Sequence, residues 1–300
     1  MPWPLRHGII NIARSGGSGR FIRREHEMGL FSRNYDKPGP GVNKDEPRKK
    51  GFRRFVELIS RDFSNLVKMN VLFCGCLLPS VALFFLGLYG LYPPVTLVLS
   101  IIAAYPVGPA FTASQFCISK MLCDVPGFLW HDWKRKFRET RRQAAVPGIF
   151  CTVFTYGQIL LWVQILIEGA GGGAIWTAIG FCSLLLFSLI APYIFLHLAY
   201  VDLKMMQIVR NSVLIAIANL PRSFMGALVG GIAWLAFILF YPVSVLFAPL
   251  IVLFVFSVSW LLNLMWVWPR FDKVFSVEET IRNRRREQLE QETTAAIERE

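Results

Sequence analysis

Four long stretches of the chain contain no Asp, Glu, Lys or Arg: Met69–Ser119, Gln143–Ile167, Gly169–Val201 and Ser223–Pro269. Uncharged runs of this length do not suit the core of a soluble domain. They suit a bilayer, whose hydrocarbon interior tolerates few ionised side chains. Composition agrees, with 54% hydrophobic residues, only 17% charged and a mean hydropathy of +0.45. The chain reads as an all-α, polytopic membrane protein.

The number of crossings follows from length. The 51 residues of Met69–Ser119 reach about 76 Å as a helix, against a hydrocarbon core of about 30 Å, so this stretch must fold back. Gly90, Pro93 and Pro94 break it near its middle, which predicts span one at Asn70–Leu91 and span two at Val95–Cys117. Tyr241 and Pro242 divide the last stretch in the same way, into Phe224–Tyr241 and Ser244–Val267. Pro147–Ile167 and Ala174–His197 each suit one crossing. Six transmembrane helices are expected.

Basic residues near span ends are retained on the cytoplasmic side, and here they are one-sided. Of the 32 Lys and Arg, 15 precede residue 69, seven lie in Ser119–Arg142, three in Tyr200–Arg222 and seven after Pro269. The other three connections hold none. Both termini are therefore expected in the cytoplasm. Three regions follow: a cytoplasmic N-terminal segment over 1–51, a six-span domain over 52–275, and a charged cytoplasmic helix over 276–300. The six-span domain includes an interfacial helix at 52–68 and cytoplasmic loops at 118–146 and 198–223.

Residues 1–27 lack the apolar core of a signal peptide. Arg23, Arg24 and Glu25 can be encoded by AGG, AGG and GAG, a purine-rich ribosome-binding sequence just ahead of Met28. Translation is expected to start at Met28; an intact mass beginning at Met1 rejects this.

The cytoplasmic segments carry amphipathic patterns. After the Pro38-Gly39-Pro40-Gly41 linker, Phe52, Phe55, Ile59, Phe63 and Leu66 recur at helical spacing, with Arg53, Arg54, Arg61 and Lys68 on other faces. This predicts a surface anchor, with partner docking as the alternative. From Val125 to Gln143, Trp130 and Trp133 alternate with Lys134, Arg135, Lys136 and Arg138. Those six are candidate docking residues for the bilayer surface, anionic lipid included, or for a partner. A basic loop between two spans is expected from topology alone, so the net +12 charge does not argue for nucleic acid. Near the C-terminus, Ser276 and Glu279 form a capping-box pattern.

Signs of chemistry are few. The spans carry no ionisable carboxylate or ammonium of the kind a proton-coupled transporter uses; Glu168 and His197 fall at span ends. Thr112, Gln115, Gln158, Gln164 and Asn263 do lie within spans. Interhelical hydrogen bonding accounts for them, and a line of amides also suits a sugar hydroxyl. Cys74, Cys76, Cys117, Cys123, Cys151 and Cys182 include no C-x-x-C pair and read as reduced, packed thiols. Catalytic motifs and nucleotide-binding loops are absent, so neither enzymatic activity nor a cofactor or metal is expected. Pro106, Gly108 and Pro109 mark a candidate helix kink in span two, functional or merely structural. Gly226 and Gly230 form a G-x-x-x-G face for helix packing.

Several short motifs carry a resemblance. Pro38-Gly39-Pro40-Gly41-Val42 with Lys44–Pro47, Pro106-Val107-Gly108-Pro109-Ala110, the stretch around Phe128, Trp130, Trp133, Lys136 and Phe137, and Ala218-Asn219-Leu220-Pro221-Arg222 resemble the YesL-like family of six-span bacterial membrane proteins. The likeness covers about Met28–Phe275. It implies a protein of the bacterial cell membrane with no assigned activity, from a family often found with carbohydrate ABC importers. It thus implies a non-enzymatic accessory or scaffold subunit with importer subunits as partners; a solute-conducting permease is the alternative. Leu220-Pro221 is the only echo of the ATPase-docking pattern of importer permeases.

Overall fold

The structure is a computed structural model that describes residues 51–280, apart from 91, 126, 169–172, 202 and 240–250, together with 283 and 287. Among these residues there is no strand. The helices are α1 (Phe52–Leu88), α2 (Pro93–Ala103), α3 (Val107–Leu122), α4 (Leu129–Thr140), α5 (Ala145–Glu168), α6 (Gly173–Tyr200), α7 (Met205–Ala218) and α8 (Leu220–Leu239). A π-helical turn at Ile251–Val255 then leads into α9 (Phe256–Phe275).

Four helical stretches are long and apolar enough to cross a membrane: α1, α2 with α3, α5 and α6. A fifth is added if α7 and α8, which meet at 97°, count as one bent crossing. Of the six expected spans, the sixth begins outside the described residues, as does the turn at Tyr241–Pro242. The Pro-Gly linker, the charged C-terminal tail beyond residue 280 except 283 and 287, and most of the Gly169–Gly173 run also lie outside them.

Helix α1 has 37 residues, about 55 Å of helix and far more than a bilayer core requires. It runs unbroken through Lys68–Asn70, where the interfacial segment was expected to give way to span one. Its irregularity comes earlier, at Asp62, whose φ of −109° and ψ of 16° leave the helical region. The turn into α2 uses Gly90 (φ 88°) and Tyr92 (φ 46°), followed by Pro93 and Pro94 in the first turn, where a missing amide breaks no hydrogen bond. The hairpin closes tightly, because a Cβ on Gly87 would lie 2.6 Å from Thr96 Oγ1. Ser80 Oγ donates to the Ser100 carbonyl at 2.7 Å and lies 2.6 Å from Tyr156 Oη, which ties α1, α2 and α5 together.

The expected irregularity of span two is a short turn, Ala104–Pro106, between α2 and α3. Pro106 stands at the N-cap of α3 and Pro109 in its first turn, positions that proline occupies without breaking a helix. Gly108 serves a different purpose from a kink. A Cβ there would sit 2.8 Å from Gly148 Cα and run into the Ala144 carbonyl, and a Cβ on Gly148 would collide with Gly108 in return. The backbones of α3 and α5 touch at this crossing.

Gly226 and Gly230 of α8 face α9. A Cβ on Gly226 would lie 3.2 Å from the Asn263 carbonyl oxygen, and one on Gly230 would lie 3.1 Å from the Ser259 carbonyl oxygen. Such close approach is the usual role of small residues four apart in membrane helices. At the start of α9, the Ser257 amide donates to Asn70 Oδ1 of α1 at 2.8 Å, in a fully buried contact. The core between these helices holds Met69, Phe73, Ala110, Tyr193, Leu261 and Phe271. Residues 277–280 are helical, directly after Ser276. Ser276 ends α9 in the left-handed region, and Asp272 Oδ1 accepts the Glu278 amide at 2.7 Å.

Candidate functional site

Two places gather polar chemistry, one at the charged end of the bundle and one among the apolar helices. At the charged end, Asp124 follows α3 with φ 56°, in the left-handed region. Its carboxylate accepts hydrogen bonds from Arg54 Nη2 at 2.6 Å and Arg61 Nη1 at 2.5 Å. Arg54 and Arg61 are seven apart, two helical turns, and so project from one side of α1. Burial works against ionisation of Asp124, but the two guanidinium groups prevail and hold its carboxyl below its usual 3.8. Beside this clamp Lys120 Nζ donates to Asp132 Oδ2 at 2.5 Å, joining α3 to α4. Gly127 passes so close that a Cβ would come 2.8 Å from Lys120 Nζ. The sequence showed these charges as cationic surface; the pairing across helices had no local signature.

The six candidate docking residues of α4 divide between two faces. Trp130, Lys134, Arg135 and Arg138 point outward, with Lys134 Nζ 5.8 Å from the centre of the Trp130 ring. Trp133 is turned inward and only 6% exposed; its Nε1 donates to Ser114 Oγ at 3.3 Å and its ring stacks on Phe137. Lys136 is half-buried beside Phe116 and donates to Glu139 at 3.3 Å. Trp133 and Lys136 therefore fasten α4 to α3, leaving four residues to meet lipid or protein.

The second place is a cavity of about 560 Å³ among α1, α3, α5, α6, α8 and α9. Phe73, Phe111, Phe256 and Trp260 contribute aromatic wall, with the Trp260 ring 4.5 Å from Phe111 and 4.6 Å from Phe73. Gln115 lies one turn beyond Phe111 on α3, and Asn263 one turn beyond Trp260 on α9, so both helices bring a polar side chain next to an aromatic one. Gln115 is 1% exposed, Ser259 5% and Asn263 8%. Gln115 Oε1, Ser259 Oγ and Asn263 Oδ1 are all buried without a hydrogen-bond partner. Three orphaned polar atoms in one cavity are unusual, since each carries a desolvation cost of about 1–3 kcal/mol. Gln115 and Asn263 were visible in the sequence as intramembrane amides; Ser259 was not, because a serine in a span usually bonds to its own helix.

Other sequence candidates are less exposed to chemistry. Thr112 Oγ1 donates to the Gly108 carbonyl, and Gln158 Nε2 to Ser183 Oγ at 2.8 Å. His197 is wholly buried, with Nδ1 2.7 Å from the Tyr193 carbonyl oxygen, and meets the rings of Phe271 and Phe275 edge-on. None of the six cysteines forms a disulfide. Among the described residues no group of three His, Cys, Asp or Glu side chains is placed to hold a metal ion. Comparison with protein-family models, curated proteins and solved structures finds no match for this chain.

Proposed function

We propose that this chain is a six-span protein of a bacterial cell membrane with its charged end and both termini in the cytoplasm. In this reading it is a non-enzymatic accessory subunit of a carbohydrate ABC importer, as the YesL-like resemblance implies. The observation that carries the docking role is the geometry of α7. This helix turns 97° into α8 and leaves Met206, Leu214 and Ile217 exposed at 79%, 54% and 65%. A short helix at a sharp angle to a span suits the membrane surface, and methionine adapts readily to a partner's contours. Leu220 and Pro221 stand at the bend, where an importer's ATPase-docking pattern would end.

The test is gentle purification of the full chain from its native membrane, beside the variant with Met206→Glu and Ile217→Glu. Importer subunits should accompany the native protein and be lost from the variant, while both remain in the membrane fraction. Absence of importer subunits from the native preparation overturns the accessory reading. The second reading, solute conduction, is favoured by the intramembrane cavity. Solute uptake into liposomes by the lone protein supports it.

A further inference from the structure

We infer that the cavity bounded by Phe111, Gln115, Ser259, Trp260 and Asn263 is a binding site for a neutral, hydroxyl-rich molecule with one C–H face. This inference stands on the cavity alone and does not require the accessory reading.

The polar atoms define what the ligand brings. Gln115 Oε1 and Asn263 Oδ1 are carbonyl oxygens, which only accept hydrogen bonds. Both are buried and unpartnered. Thr152, Thr155 and Ser188 also line the cavity and donate their own hydroxyl protons to helix carbonyls at 2.9, 2.8 and 2.7 Å. What those three hydroxyls have left is again acceptor capacity. Ser259 Oγ can donate or accept. With the amide N–H groups of Gln115 and Asn263 able to donate as well, the wall asks for groups that both donate and accept.

Charge narrows the class further. Among the described residues no Asp, Glu, Lys, Arg or His lines the cavity. An ammonium ligand would satisfy the acceptors, but without a carboxylate its charge would lose hydration uncompensated. A neutral ligand with several O–H groups supplies donors without that cost. The aromatic wall then selects shape. A saturated ring has an axial C–H face that packs on aromatic rings and an equatorial rim of hydroxyls, and the amides lie one helical turn from the rings. The volume of about 560 Å³ falls within the range of small-molecule sites, about 300–1,000 Å³. Two sources share this chemistry: a soluble sugar and the sugar headgroup of a glycolipid.

The experiment uses the full chain in nanodiscs. One arm measures equilibrium binding of radiolabelled glucose and maltose. The other adds glucosyl diacylglycerol to the nanodisc lipid and follows tryptophan fluorescence. Saturable binding is expected in one arm, which identifies the source. Gln115→Leu and Asn263→Leu should each weaken it about tenfold, the effect of one lost buried hydrogen bond, and Ser259→Ala about threefold. Without ligand, the two leucine variants should melt at or above the native temperature, because an unpartnered polar atom has been removed. If a leucine variant does not fold, Ser259→Ala decides the matter. Failure of glucose, maltose and glucosyl diacylglycerol to bind saturably overturns the inference, as does binding that none of the variants weakens. Recovery or loss of importer subunits leaves this result unchanged, so the two proposals fail separately.

Discussion

Asp124 is the residue on which the charged end depends most. Two arginines from α1 converge on one carboxylate, in a left-handed backbone conformation that few side chains adopt readily. Its carboxyl titrates below the usual 3.8 in the folded protein, so the stabilisation is fully present above that value and is lost as pH falls through the lowered one. Asp124→Asn should reproduce the acid state at neutral pH, costing about 1–2 kcal/mol for the partly exposed pair. Amide hydrogen exchange over 52–61 should accelerate in the variant at pH 7 and in the native protein below about pH 4, the usual carboxylate range. Unchanged exchange in the variant would show that Arg54 and Arg61 hold α1 by other means. Charge balance could not reveal this pairing beforehand, because Asp124 is 70 residues from Arg54 and nothing local distinguishes it from Asp132.

Helices meet here through small residues, and of the crossings at Gly226/Gly230 and at Gly108/Gly148 only the first was readable in advance. Gly226 and Gly230 share a helix face at a spacing of four, a pattern visible in one segment. Gly108 and Gly148 sit on different helices, so their mutual fit exists only once α3 and α5 cross. Prolines on both sides of Gly108 instead suggested a bend. Packing at this crossing predicts that Gly148→Ala lowers stability by about 1–3 kcal/mol, since the added methyl meets backbone and not a yielding side chain. Gly157→Ala on the same helix, where no atom lies within 4 Å of the added carbon, is the control. Thermal unfolding in detergent should separate the two; equal melting temperatures would mean that α3 and α5 can part without penalty. The faces of α4 teach the same lesson, because Trp133 and Trp130 look alike as interfacial tryptophans until α3 is present to bury one of them.

For the whole molecule, alternating charge density orders the chain. Long uncharged runs predicted helices able to cross a bilayer, and the described residues contain four, or five with the bent pair. The orphaned atoms of the cavity were beyond reach, since which polar groups lack partners is a property of the packed bundle and not of any segment. The proposed orientation makes a direct prediction. In intact cells of a cysteine-free background, a membrane-impermeant maleimide should label Tyr89→Cys, at the tip between α1 and α2, and spare Arg138→Cys on α4. The reverse pattern would invert the topology. Finally, the bend at Asp62 and the double grip on Asp124 give the first ten residues of α1 a mechanical character. A pull on the chain ahead of Gly51 would be borne by the corner that joins α3 to α4, shielding the long apolar part of α1 from the tug.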